Sequence, residues 1–203
     1  MSWLTAGSVL MRRLTYLVAQ TIDGFIADPG NNDPSPWFVL EGDHAEPLRE
    51  EFPDMYPSHA RPMLGMENVL NKHFDTVLEG RGSYEIGLRH GITNAYRHLR
   101  HLVFSTTMTE SPDPTVELVR TDPVATVREL KRQEGMDIWL CGGGRLAATL
   151  REEIDRLIVK LQPIVAGDGI PLFHGASFRP ERYDLTDVKH YRSGVAVLTY
   201  DKR

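Results

Sequence analysis

The chain of 203 residues, 41% hydrophobic and 25% charged, has the length and composition of a single globular domain rather than of a fibrous or disordered polymer. Its formal net charge of -5 argues against a general nucleic-acid binder, and a lone cysteine, Cys141, excludes an intrachain disulfide framework. No apolar run is long enough to cross a membrane, and the expectation is a cytoplasmic protein acting on a small molecule, with no nucleic-acid or membrane partner.

Residues 1–11 are too short and too weakly apolar for a signal peptide, and Met11 directly precedes the first clear strand. They read as a loose N-terminal extension, and residues 12–203 as one domain. Leu14–Gln20 is an apolar strand, followed by an Asp23-Gly24 turn and a short second strand. Residues 28–36, rich in Pro, Gly and Asn, form a loop. Residues 42–52 suit a short helix with Asp43 as N-cap and Glu46 closing a capping box, and residues 62–71 a further helical piece.

Residues 74–78 read as a strand running into Gly80-Arg81-Gly82-Ser83, with a helix starting at Ser83. Residues 102–105 and 116–120 are two more strands. Asp122 or Thr121 caps a helix over residues 124–133 with Pro123 at its first position, and Gly135 ends it. Residues 157–165 make a long strand, and residues 183–191 and 195–201 a closing hairpin whose second strand reads as covered. Strands alternating with helices and ending in a run of strands indicate an α/β domain with a mostly parallel sheet and an antiparallel C-terminal edge.

The stretch that organises this pattern is residues 138–150. Ile138, Trp139, Leu140 and Cys141 form a buried strand that meets Gly142-Gly143-Gly144 and turns into a helix carrying Leu146, Leu150 and Ile154 on one face. Glycines let backbone N–H groups approach an anion, and the helix N-terminus adds its positive dipole end. A tight strand-to-helix turn with no ligand accounts for the same residues. Two further turns also follow strands: Gly80-Arg81-Gly82-Ser83, with glycines, an arginine and a hydroxyl, and Ser105-Thr106-Thr107, with three hydroxyls.

This ordered set resembles the dihydrofolate reductase fold. It is most similar to the reductase domain of the bifunctional deaminase-reductase proteins of riboflavin biosynthesis. The matching pieces are residues 21–27, 80–85, 103–107, 138–144 and 163–173. The resemblance implies a three-layer α/β fold with helices on both faces of the sheet. It implies NADPH as cofactor and hydride transfer to a pteridine-like, pyrimidine-like or carbonyl substrate, as in 5-amino-6-(5-phosphoribosylamino)uracil reduction. Carried over, Arg81 and Ser83, after Gly80, hold the 2′-phosphate, and Ser105 and Thr106 contact the adenosine side. Gly142, Gly143, Gly144, Arg145 and Leu146 cradle the pyrophosphate. Ala19 and Ile26 line the nicotinamide, and Gly169 closes the loop beside it. Asp23 is the catalytic candidate near the cleft, Trp37 flanks the substrate, and family habit implies a homodimer. No histidine spacing suits a metal, and one cysteine cannot supply the zinc signature of the deaminase half. The rival readings are a non-catalytic nucleotide-binding or sensor protein on the same fold and an NADH or flavin enzyme.

Overall fold

A computed structural model describes residues 11–203, so the expected extension lies, Met11 apart, outside the described residues. The strands are β1 (Leu14–Gln20), β2 (Phe25–Ala27), β3 (Phe74–Gly80), β4 (Arg100–Phe104), β5 (Val116–Val119), β6 (Asp137–Gly142), β7 (Arg156–Leu161), β8 (Ile170–Pro171), β9 (Tyr183–His190) and β10 (Ala196–Lys202). The helices are α1 (Ala45–Glu51), α2 (Arg81–Arg89), α3 (Pro123–Arg132) and α4 (Gly144–Thr149).

The main sheet runs β5-β4-β3-β6-β1-β7-β10-β9, with β2 and β8 paired separately. The pairs from β5 to β7 are parallel, and β10 lies antiparallel to both β7 and β9. The expected architecture, a mostly parallel sheet with an antiparallel edge, is therefore the one observed. β1 sits centrally because its residues Leu14, Tyr16 and Leu17 are apolar on both faces, as a strand covered on both sides must be.

The sheet is packed on both sides. One face carries Tyr16, Leu78, Leu140 and Phe104 against Val127 and Leu130 of α3 and Leu146 of α4. Leu150 and Ile154 join the same cluster just beyond α4, which ends at Thr149. The other face packs Leu17, Trp139, Ile158 and Val197 against Leu48 of α1 and Phe52. Tyr84 of α2 packs on Val103 and Val116 toward the sheet's parallel edge.

Local chemistry explains several boundaries. Asp122 caps α3 by accepting from the Val124 and Ala125 N–H groups, worth about 1 kcal/mol, with Pro123 at the first position. The strand expected over residues 157–165 stops at Leu161, because Ile164 N–H bonds back to the Gln162 carbonyl and Pro163 has no N–H to give. The expected capping box at Asp43 and Glu46 does not form. His44 occupies the cap position, and the Asp43 carboxylate instead accepts from the Arg192 and Ser193 N–H groups. The helical piece expected over residues 62–71 contracts to a 3-10 turn at Pro62–Leu64, closed by Gly65 at φ 67°. α2 begins at Arg81, two residues before the expected Ser83. The last strand, expected to be covered, buries Val197 and leaves Leu198 and Tyr200 half-exposed.

Candidate functional site

A cleft of about 760 Å³ opens where β3, β4 and β6 deliver their carboxyl ends. This is where an open α/β sheet takes its ligands. Its walls bring together Gly80, Arg81 and Ser83, then Ser105 and Thr106, then Gly143, Gly144, Arg145 and Leu146, with Ile26 across from them. These come from three separate strand ends and from β2. A smaller cavity of about 310 Å³ lies at the opposite ends of the strands. Its charges are already paired, Arg13 with Asp137 and Arg156 with Asp201, so it offers a ligand little.

Two helices begin at the wall of the cleft. α2 starts at its N-cap Gly80 and α4 at its N-cap Gly143, and neither helix has a side-chain cap. Their first N–H groups and positive dipole ends therefore serve no acceptor from their own cap residues. The two starts abut: a Cβ built on Gly80 would lie 3.6 Å from the Gly143 nitrogen. Gly143 has ordinary extended backbone, φ -95°, and a Cβ built on it meets nothing within 4 Å. No described residue fills that space, which leaves a cradle that a side chain would occupy.

Arg81 and Arg145 make this part of an acidic chain locally positive. The exposed Arg81 guanidinium donates to Thr107 Oγ1 at 2.5 Å and lies 3.2 Å from Glu85. Arg145 makes no ion pair among the described residues. Ser105 is turned inward: its Oγ accepts from the Thr107 and Met108 N–H groups and shapes the turn. Thr107 and Thr121 also line the cleft and were not among the residues given a cofactor role from the sequence. Thr107 was named only as part of the turn Ser105-Thr106-Thr107, and Thr121 only as an alternative cap of α3.

Five of the expected residues do not line this cleft. Gly142 ends β6 with its missing Cβ directed toward Ser83 Oγ, 3.8 Å away. Gly169, at φ 157°, lies where β8 meets β2, and a Cβ built on it would collide with the Ala27 carbonyl oxygen, so its glycine serves that close approach. Ala19 lies in register with Lys160 of β7. Trp37 packs edge-on to Phe38, ring centres 4.3 Å apart. Asp23 clips two loops together: its carboxylate accepts from the Ala166 and Gly167 N–H groups and from Thr21 Oγ1. The Thr21 hydroxyl and those N–H groups hold its carboxyl down to about 2, so it stays ionised and does not suit a proton donor.

Together the sheet order and this carboxyl-end cleft define a class: an α/β protein with a mostly parallel sheet and an open cleft at the carboxyl ends of its strands. The particular family follows from comparison. The model of the RibD C-terminal domain matches residues 12–198, and the chain belongs to that family. It is 27% identical over 202 residues to the uncharacterized protein YyaP of Bacillus subtilis (strain 168), covering 93% of this chain and 94% of that one. It is 30% identical over 168 residues to the uncharacterized YwjB of the same organism, covering 81% and 84%. Among solved structures it is similar to a protein from Shewanella sp. PV-4 assigned to riboflavin biosynthesis, with TM-score 0.68, 20% identity, and 94% and 99% of the two chains covered. It is also similar to a diaminohydroxyphosphoribosylaminopyrimidine deaminase/5-amino-6-(5-phosphoribosylamino)uracil reductase from Thermotoga maritima, with TM-score 0.64 and 16% identity. That match covers 95% of this chain and 57% of the bifunctional one. Among the described residues no helix is long and apolar enough to cross a membrane.

Proposed function

We propose that this protein is an NADPH-dependent reductase that passes a hydride to a small pteridine-like, pyrimidine-like or carbonyl substrate. The observation that carries the reading is the meeting of the α2 and α4 N-termini, both without side-chain caps, beneath the open space over Gly143. Two phosphates linked as a pyrophosphate are the ligand chemistry that fits two converging helix starts. Membership of the RibD C-terminal family supports a reductase over other phosphate binders.

In this reading the N–H groups at the start of α4 bind the pyrophosphate, and Arg145 adds charge at the rim. The Arg81 guanidinium, with Thr106 and Thr107 beside it, takes the 2′-phosphate of the adenosine ribose, a group that a planar fork grips better than an ammonium does. Ile26 supplies an apolar wall for the nicotinamide. Bound NADPH supplies the hydride, and the protein's work is to hold and orient it and to exclude water. Asp23 has no part in this scheme, since its carboxylate is engaged with the loop at residues 166–167.

The test is Arg81→Ala. Arg81 is exposed and holds no buried partner, so the fold should survive its loss. NADPH affinity is expected to fall about 10- to 100-fold, the worth of one or two charge-assisted hydrogen bonds, while NADH affinity changes little. Equal loss of both, or of neither, contradicts the 2′-phosphate assignment. Turnover is read as disappearance of the reduced-nicotinamide absorbance across a panel of pterins, pyrimidines and small carbonyls. Tight NADPH binding with no turnover on any of them favours the sensor reading.

A further inference from the structure

On the α1 face of the sheet, the packing stops short of the strands' carboxyl ends. Leu17, Ile158 and Val197 are buried there beneath Leu48 and Phe52. Further along, Ala19 of β1 and Lys160 of β7 lie in register, and Val197 of β10 pairs with Lys160 from its other side. Side chains alternate along a strand, so Ala19 and Lys160 share the face of Leu17 and Ile158. Both are only half-buried, although β1 and β7 are interior strands. The described residues therefore leave a recess over Ala19 and Lys160. It adjoins the cleft, because β6, which runs into Gly143, is the neighbour of β1.

The polar groups around this recess are donors without acceptors. Lys160 makes no ion pair among the described residues. Burial lowers its ammonium from the ordinary lysine range, and neither a carboxylate nor a hydrogen bond offsets that. Gln162, two residues on, is fully buried, and its N–H still bonds the Gln20 carbonyl, so it keeps the alternation. Its Oε1 accepts from the Val39 N–H at 2.9 Å. A backbone N–H only donates, so the amide is oriented with its nitrogen left over. That Nε2 is buried and has no partner among the described residues. On α1, next to Leu48, the Arg49 Nε is likewise buried and unpartnered. The carboxylates at the two ends of α1 are committed elsewhere, Asp43 to the Arg192 and Ser193 N–H groups and Glu51 to Lys189. Buried donors left unpaired cost stability, so a set of them on one face points to a ligand that supplies acceptors.

Resting on the reading of the cleft as an NADPH site, we propose that this recess seats the substrate and that Lys160 selects an anionic one, a small carbonyl compound carrying a carboxylate or a phosphate. The two anions share the relevant chemistry, oxygens that only accept. Lys160 and Gln162 stand about 7 Å apart along the strand, so one can hold the anion while the other meets a second oxygen. The amino-pyrimidine edge of a pterin presents N–H groups and would meet Lys160 and Gln162 donor to donor. Lys160 is thus a specificity-determining residue: it holds the anion and leaves the carbonyl to face the cofactor.

The experiment loads the full-length protein with NADP+, which has no hydride to give, and titrates it calorimetrically with matched probes. These are pyruvate against hydroxyacetone, dihydroxyacetone phosphate against dihydroxyacetone, and 7,8-dihydrobiopterin. At least one anion is expected to bind about 10- to 100-fold more tightly than its neutral counterpart and than the pterin. Which anion wins tells carboxylate from phosphate. Lys160→Met is expected to lose that preference, and Lys160→Arg to keep it. Without any probe, Lys160→Met is also expected to melt about 2–4 °C higher than the unmodified protein, because it removes an unpaired, desolvated charge. A lysine with a structural role alone gives the opposite shift, and a lower melting temperature overturns the proposal. So does equal binding of anion and neutral probe, preference for the pterin, binding of no probe, or a preference that survives in Lys160→Met. Each of these leaves the cofactor reading standing, whereas failure of NADP+ to bind overturns both.

Discussion

Gly143 and Gly144 are neighbours under opposite constraints. A Cβ on Gly143 meets no atom of the described residues within 4 Å, whereas one on Gly144 runs into the Pro171 carbonyl oxygen and the His174 backbone. Gly143→Ala is therefore expected to leave the melting temperature unchanged and to weaken NADPH binding by about tenfold or more, a loss of about 1.4 kcal/mol. Gly144→Ala is expected to cost about 1–3 kcal/mol of stability by overpacking. Thermal melts and binding titrations of the two variants check this, and equal stability losses would contradict it. As sequence, the three consecutive glycines read as one cradle. Only the packing of residues 171–174 on α4 separates ligand space from close approach. Asp23 shows the same limit. An Asp-Gly turn near a cleft suits a catalytic carboxylate, but its partners lie 143 and 144 residues away, where no local pattern reaches.

At the scale of elements, strands and helices set by local chemistry were legible, and those set by distant partners were not. α3 needed only Asp122, Pro123 and an apolar face. α1 lost its expected cap because Asp43 bonds to Arg192 and Ser193, at the tip of the β9–β10 hairpin. The second strand of that hairpin was also expected to be covered. β9 is the outermost strand, and a register shift at Thr199/Tyr200 brings Leu185 and Val188 onto the same face as Tyr200 and Leu198. Leu185 is 53% exposed and Val188 49%. An edge strand with an apolar exposed face is an invitation to pair. We propose that two copies meet here. Light scattering at micromolar concentration should give a dimer, and Leu185→Lys with Val188→Lys should shift it to monomer. A monomeric unmodified protein would contradict the proposal.

Across the whole molecule, the order of the motifs revealed more than any one of them. Gly80 to Ser83, Ser105 to Thr107 and Gly142 to Leu146 are separated in sequence but follow β3, β4 and β6. Those strands lie side by side, with β3 paired to both of the others. A parallel sheet places all three turns at one end, so consecutive strand ends become one cleft. That is why the turns that line the cleft were readable. Residues 28–72 were not, because they hold only a short helix and 3-10 turns, and Leu48 and Phe52 pack on Leu17, Trp139 and Ile158 of distant strands. The account's central claim is that this cleft is an NADPH site. It is tested most directly by titrating the purified protein with NADPH and, separately, with NADH. A clear preference for NADPH is the predicted result. Binding of neither would contradict the claim and make the glycine turn a structural device alone.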